Sequence, residues 1–435
     1  MKVKLQIISK LNKINQKKKN YFWNAFAGII NAAEAVILSV IVTRVTGLID
    51  AGILSIAFSV GNLLVCIGKF GVYNYQVTDI KREFTFFDYF IFRIVTTIFM
   101  FLAVIVYCEY GILNIGYNRH KIICVMMICL IYMIESIEDV FSAYYQTSNR
   151  LDLGCKAFCL RWGGIFLSFF IGIILLRDMA ISLLISLVIS LIIFLLYTCI
   201  VFPKIYRSEQ LNREDNYICI SKLKKMFTDC FPLFLTAFLS FYVLNAPKYA
   251  IDAVLEDSIQ ACYGFVSMPV FVIGLLNSFI YHPELVFMAD EWNSDKNALR
   301  RRIWRQIIIL LLISICCFMG AALIGCPVLS WLYNTDLSLY IFELLVLQVA
   351  GSFLGIAGYL SVILTIMRCQ KDLIWGYIIV ALIAFFSFNT VVIGYGIKGA
   401  AIEFTLLMVL LCSIYTIILI YRWKTAVNLQ KTKTI

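Results

Sequence analysis

The residues of this chain that could do chemistry are ionisable side chains set inside long apolar runs. Glu34, Lys69, Glu135, Glu138, Asp139 and Lys248 each interrupt such a run. A charge in that setting costs about 2.5–3.5 kcal/mol on insertion scales, so it must face an interior or water. Their neighbours recur at helical spacing, which puts them on common faces. Asn24, Asn31 and Glu34 are separated by seven and three residues; Asn62, Cys66, Lys69, Tyr73 and Gln76 follow a 4-3-4-3 rhythm. Asn245, Lys248 and Asp252 follow 3-4 beside Pro247, which predicts a kink. Gly274, Asn277, Tyr281 and Glu284 follow 3-4-3. Four such stripes, two near the start of each half of the chain, predict one shared hydrophilic cavity.

The residue types narrow what that cavity could bind. Lys69 and Lys248 are cations without an obvious local counter-ion, suited to an anionic group. Asn24, Asn31, Asn62, Tyr73, Gln76, Asn245, Asn277 and Tyr281 either bond exchangeably to ligand hydroxyls or bond helix to helix. Glu34 either pairs with Lys69 or titrates to couple a cation gradient, and Lys248 and Asp252, four apart, could neutralise one another. A fifth stripe joins Glu135, Glu138, Ser142, Tyr145 and Asn149, with Asp139 beside it. Acids this deep in a helix need cations, which Arg93 or Arg161 could supply; the stripe is then a packing network or a proton or sodium relay.

Nothing resembles an active site. The two histidines, His120 and His282, are far apart, and no nucleophile elbow, phosphate-cradling glycine loop or paired-histidine zinc motif occurs. The 15 cysteines include no C-x-x-C pair and read as small core hydrophobes. No cofactor, metal or cleaved signal peptide is expected.

The elements that must position these residues are helices in a bilayer. Of 435 residues 62% are hydrophobic and 14% charged, against roughly 25% charged in a soluble domain. Runs near 20 residues without period-two alternation fit helices crossing roughly 30 Å of hydrocarbon. Twelve are expected, at 22–46, 52–75, 86–108, 121–147, 155–176, 180–202, 228–250, 258–281, 304–326, 341–367, 373–393 and 400–421. The net charge of +11 is distributed as topology signals rather than as a nucleic-acid surface. Lys17–Lys19, Lys222, Lys224, Lys225 and Arg300–Arg302 fall on the side of both termini, beside anionic lipid headgroups. Arg44, Arg119, Lys121, Arg177 and Lys398 fall on the other. The expected organisation is a basic cytoplasmic segment at 1–20, a six-helix bundle at 21–202, a cytoplasmic linker at 203–227, a second six-helix bundle at 228–421 and a cytoplasmic tail at 422–435. Six spans per half give a parallel repeat with its pseudo-two-fold along the membrane normal.

Several runs resemble a known family. They are Tyr21-Phe22-Trp23-Asn24, Val42-Thr43-Arg44 through Gly47 to Asp50-Ala51-Gly52, and Phe70-Gly71-Val72-Tyr73-Asn74-Tyr75-Gln76-Val77-Thr78-Asp79. Glu138-Asp139-Val140-Phe141, Tyr145-Gln146, Arg150-Leu151-Asp152, Asn245-Ala246-Pro247-Lys248-Tyr249-Ala250-Ile251-Asp252, Gln260-Ala261 and Met268-Pro269 continue the pattern. The chain looks like a bacterial polysaccharide-repeat flippase of the O-antigen or capsule type, within the multidrug/oligosaccharidyl-lipid/polysaccharide exporter superfamily. The resemblance implies an all-α integral membrane protein of two six-helix bundles about a V-shaped central cavity, working by alternating access in the bacterial cell membrane. Its cargo would be a polyprenyl-pyrophosphate-linked sugar repeat moved from inner to outer leaflet, with the coupling acids Glu34, Glu135 and Glu138 drawing on a sodium or proton gradient. Relatives often line the cavity with arginines, whereas this chain offers lysines, which hold phosphate as point charges. A cation-coupled drug exporter of the same fold and, from another class, a membrane polysaccharide polymerase are the competing readings. Short outer connections leave the polymerase little room.

Overall fold

The computed structural model describes residues 2–79, 83–209, 220–281 and 284–433. Among them there are helices and turns but no strand. The chain divides into two compact units, Met1–Phe238 and Leu239–Ile435.

In the first unit the helices are α1 (Lys2–Val45), α2 (Leu48–Lys69), α3 (Val72–Thr78), α4 (Phe86–Tyr110), α5 (Arg119–Thr147), α6 (Leu151–Leu176), α7 (Met179–Glu209) and the opening part of α8 (Ile220–Val254). Their ends follow from local chemistry. Thr85 and Asp88 form a capping box at the start of α4, and the Asn118 side chain accepts from the Lys121 amide to start α5. Helix α2 stops at Phe70, which is left-handed (φ 43), followed by Gly71 at φ 70. A Cβ on Gly71 would lie 2.6 Å from the Leu233 Cβ, so only glycine fits this turn.

The centre of this unit is α2: 83% of its apolar window is buried, against 28% for α1. It packs on α5 through small residues, as membrane helices do when no water drives them together. A Cβ on Gly68 would meet the Ser136 Oγ at 2.7 Å. The opening part of α8 packs on the end of α2: Phe70 stacks on Phe234 at 4.6 Å and on Phe227 at 5.0 Å. Tyr75 donates to Asp229 at 2.9 Å, and Lys222 and Lys225 pair with Asp88 and Glu83.

In the second unit the rest of α8 is followed by α9 (Asp257–Tyr281), α10 (Leu285–Ser294), α11 (Lys296–Gly320), α12 (Cys326–Tyr333), α13 (Ile341–Ile366) and α14 (Gln370–Lys433). Helix α8 continues through Pro247, and α14 breaks at Gly396 (φ 58, ψ −141). The centre here is α13, with Leu344, Leu347, Ala350, Leu360 and Ile363 buried against α9 and α14.

Nine stretches of the described helices are long and apolar enough to cross a membrane. One of them, Lys371–Thr425, contains the Gly396 break and accommodates two expected spans. Helices α5 and α9, of 29 and 25 residues, complete the twelve. Large apolar side chains such as Leu113, Leu175, Phe386 and Ile393 are exposed on the outside of these helices, as a lipid-facing surface requires. The protein is an all-α, multi-pass membrane protein.

Candidate functional site

Five helices of the first unit converge on one charged cluster, and α5 is its spine. Tyr132, Glu135 and Asp139 recur at three and four residues along α5, with Glu138 on the adjoining row. Arg161 of α6, fully buried, donates from Nη2 to Glu135 at 2.9 Å and from Nε to Glu138 at 2.7 Å. Trp162 Nε1 adds a bond to Glu135 at 3.2 Å. Lys69 of α2 reaches the other Glu135 oxygen at 2.8 Å. Arg93 of α4, also fully buried, pairs with Asp139 at 2.8 Å and donates to the Gly68 carbonyl at 2.8 Å. From α1, Glu34 accepts from the Tyr132 hydroxyl at 2.5 Å, while its second oxygen is buried without a hydrogen bond. Among the described residues four acids therefore face three cations, and Glu34 is the acid that forms no ion pair.

This arrangement is what burial demands. A buried ion is tolerated where its partners are close, and the pairs here meet that condition, although Arg93 Nε and Arg161 Nη1 are buried without a hydrogen bond. Arg93 and Arg161 are the two cations that the acid stripe required. Lys69, expected to lack a counter-ion, has one in Glu135, a partner 66 residues away that no local spacing reveals. Glu34 bonds to Tyr132 rather than pairing with Lys69. Tyr132 and Trp162 are members of this network that the stripes did not single out; Tyr132 lies three residues before Glu135, the one sequence signal that could have placed it beside the acids.

The 62-66-69-73-76 rhythm does not lie on one helix. The Phe70-Gly71 break puts Tyr73 and Gln76 on α3, which turns them to the far end of α5. There Tyr73 donates to Gln146, and Gln76 Nε2 donates to the Val140 carbonyl at 3.3 Å. Asn62 is half-buried on α2. Asn24 and Asn31 are exposed on α1, with the Cys155 thiol 3.9 Å from the Asn24 side chain.

The second unit is built differently. Lys248 on α8 is 7% exposed, and among the described residues no hydrogen bond or ion pair reaches it. It forms no ion pair with Asp252, so the expected mutual neutralisation does not occur. Asn245 is buried and donates back to the Phe241 carbonyl at 3.0 Å, a contact that caps its own turn. Asn277 falls on α9, as does Tyr281 at its end, and both side chains lie outside the described residues. Glu284, the last member of that stripe, pairs with Arg302. Glu403 was passed over in the sequence although it interrupts an apolar run; it is buried in α14 and accepts from Ser387, across the Gly396 break. Among the described residues no group of His, Cys, Asp and Glu could hold a metal ion.

Solved structures share this fold. A multidrug resistance MATE family transporter of the MOP superfamily, in an inward-facing conformation, matches with a TM-score of 0.69 at 12% identity, over 92% of this chain and 96% of its own. The lipid II flippase MurJ, inward closed, matches at 0.67 and 12% identity, over 91% and 87%. A eukaryotic MATE transporter matches at 0.57 and 12% identity, over 94% and 96%. No family model matches the chain, and no curated protein does. At this identity the likeness establishes the fold.

Proposed function

We propose that the chain is a flippase that moves a polyprenyl-pyrophosphate-linked oligosaccharide from the inner to the outer leaflet of a bacterial cell membrane, without catalysing a reaction. The observation that carries this reading is Lys248, a buried cation in a membrane-spanning helix that no hydrogen bond or ion pair reaches among the described residues. Such a group is costly unless something completes it, and a pyrophosphate would. Lys69 is a weaker headgroup ligand because Glu135 already holds it. Asn24, Asn31, Asn62, Tyr73, Gln76, Asn245, Asn277 and Tyr281 supply the donors and acceptors for sugar hydroxyls. Both termini lie in the cytoplasm, where the basic clusters lie, and bundles at 21–202 and 228–421 alternate access.

Coupling to a sodium or proton gradient falls to Glu34. Glu135 and Glu138 are each tied to Arg161, whereas Glu34 keeps an oxygen free for a proton or a cation. That same oxygen favours the second reading, a cation-coupled drug exporter, since the fold is also that of MATE transporters. Depletion of the protein in its host separates the two. Lipid-linked repeats trapped in the inner leaflet with loss of surface polysaccharide are expected. Unchanged polysaccharide with altered drug tolerance would overturn the flippase in favour of the exporter, and completed repeats gathering on the outer leaflet would indicate a polymerase.

A further inference from the structure

The run Arg300-Arg301-Arg302 is not one cluster in the folded protein. Arg302 turns inward and is neutralised: its Nε lies 2.8 Å from one Glu291 oxygen and 3.0 Å from the other, and Nη1 bonds to Glu284. Those hydrogen bonds hold the Glu291 carboxyl below its ordinary range. Arg300 and Arg301 point the other way, exposed, and among the described residues no carboxylate pairs with either. Arg305 joins them one turn on, with Glu284 already engaged by Arg302 and 3.8 Å from the Arg305 Nη2.

These arginines share one open face of α11 with Trp304, Ile308 and Ile309. Positions 301, 305 and 309 form one row of the helix, and 300, 304 and 308 form the next. The face is therefore cationic for its first two turns and apolar thereafter, with Trp304 and Ile308 more than half exposed. The change from Arg305 to Ile308 is where a spanning helix passes from headgroups into hydrocarbon, and tryptophan settles at that depth.

We infer that this face of α11 is a binding site for an anionic phospholipid, its phosphodiester held by Arg300, Arg301 and Arg305 and an acyl chain lying along Trp304, Ile308 and Ile309. Guanidinium groups suit a phosphodiester because they can donate two parallel hydrogen bonds to it. The adjoining apolar rows select a phosphate that carries chains. This inference depends on the membrane-spanning fold and not on which cargo the protein moves.

The test is retention of phosphatidylglycerol against phosphatidylcholine by the purified full-length protein, read by native mass spectrometry. The wild type is expected to prefer phosphatidylglycerol. At the usual strength of a basic side chain near an anionic headgroup, R300Q/R301Q/R305Q cuts that preference on the order of a hundredfold and R301Q alone cuts it about fivefold. K17Q/K18Q/K19Q removes the same charge from exposed positions on α1, where lysines meet headgroups as point charges rather than through paired donors, and is expected to cut the preference less than R300Q/R301Q/R305Q does. Equal losses in both triple variants would reduce the effect to net charge and overturn the site. So would the absence of a preference in the wild type, or displacement of the lipid by millimolar inorganic phosphate, which would indicate a site for free phosphate.

Discussion

The two units treat buried charge in opposite ways. In the first, Glu135, Glu138 and Asp139 are each within 3 Å of a lysine or arginine from a neighbouring helix. In the second, among the described residues, Lys248 is buried without an ion pair and Glu403 accepts from a serine hydroxyl without one. A closed network rigidifies the unit that contains it, and losing one member strands the others in a low dielectric. An uncompleted charge does the reverse: it lowers stability and is available to a ligand. Within the first unit Glu34 is the exception, sharing the second unit's open character.

The comparison breaks most sharply at Arg161. Arg161→Gln leaves Glu135 and Glu138 without their principal partner and is expected to cost about 3–5 kcal/mol, seen as a large fall in thermal stability and in folded yield. An unchanged melting temperature would mean that the network is not structural. Lys248→Gln should do the opposite, leaving stability equal or higher while transport falls roughly ten- to a hundredfold, the range expected for a lost charged hydrogen bond. Transport of lipid-linked repeats at wild-type level, at equal expression, would remove Lys248 from the headgroup site.

Lys69→Gln sharpens the difference between the two lysines. Its ammonium is paired but about a third exposed, so its loss should cost about 1 kcal/mol of stability and impair transport less than Lys248→Gln does. The reverse order of transport defects would put the headgroup at Lys69. Glu34→Gln has the smallest expected effect on folding, under about 1 kcal/mol, because the amide oxygen still accepts from Tyr132. Its effect should appear in the dependence of transport on a sodium or proton gradient; if that dependence persists, Glu34 is not the coupling group.

The helical membrane class and the twelve spans were legible in the sequence because both depend on local quantities. Apolar length reports the crossing of a bilayer, and the absence of period-two alternation reports a helix. The deep acids were equally legible, as was their need for Arg93 or Arg161, since an ion in hydrocarbon requires a partner whatever the fold. Helical spacing was less reliable where the helix stopped. The rhythm from Asn62 to Gln76 is periodic, yet the left-handed turn at Phe70 and Gly71 sends its two ends to different neighbours.

What the sequence determined by itself was therefore which residues must cross the membrane and which charges must find company there. Only the tertiary structure decided which charges do. Lys69 meets Glu135, Arg302 turns in while Arg300 and Arg301 turn out, and Lys248 is left with no ion pair among the described residues. The physical reason is that spacing along a helix fixes a face, while pairing across helices depends on the rotation and register with which those faces meet.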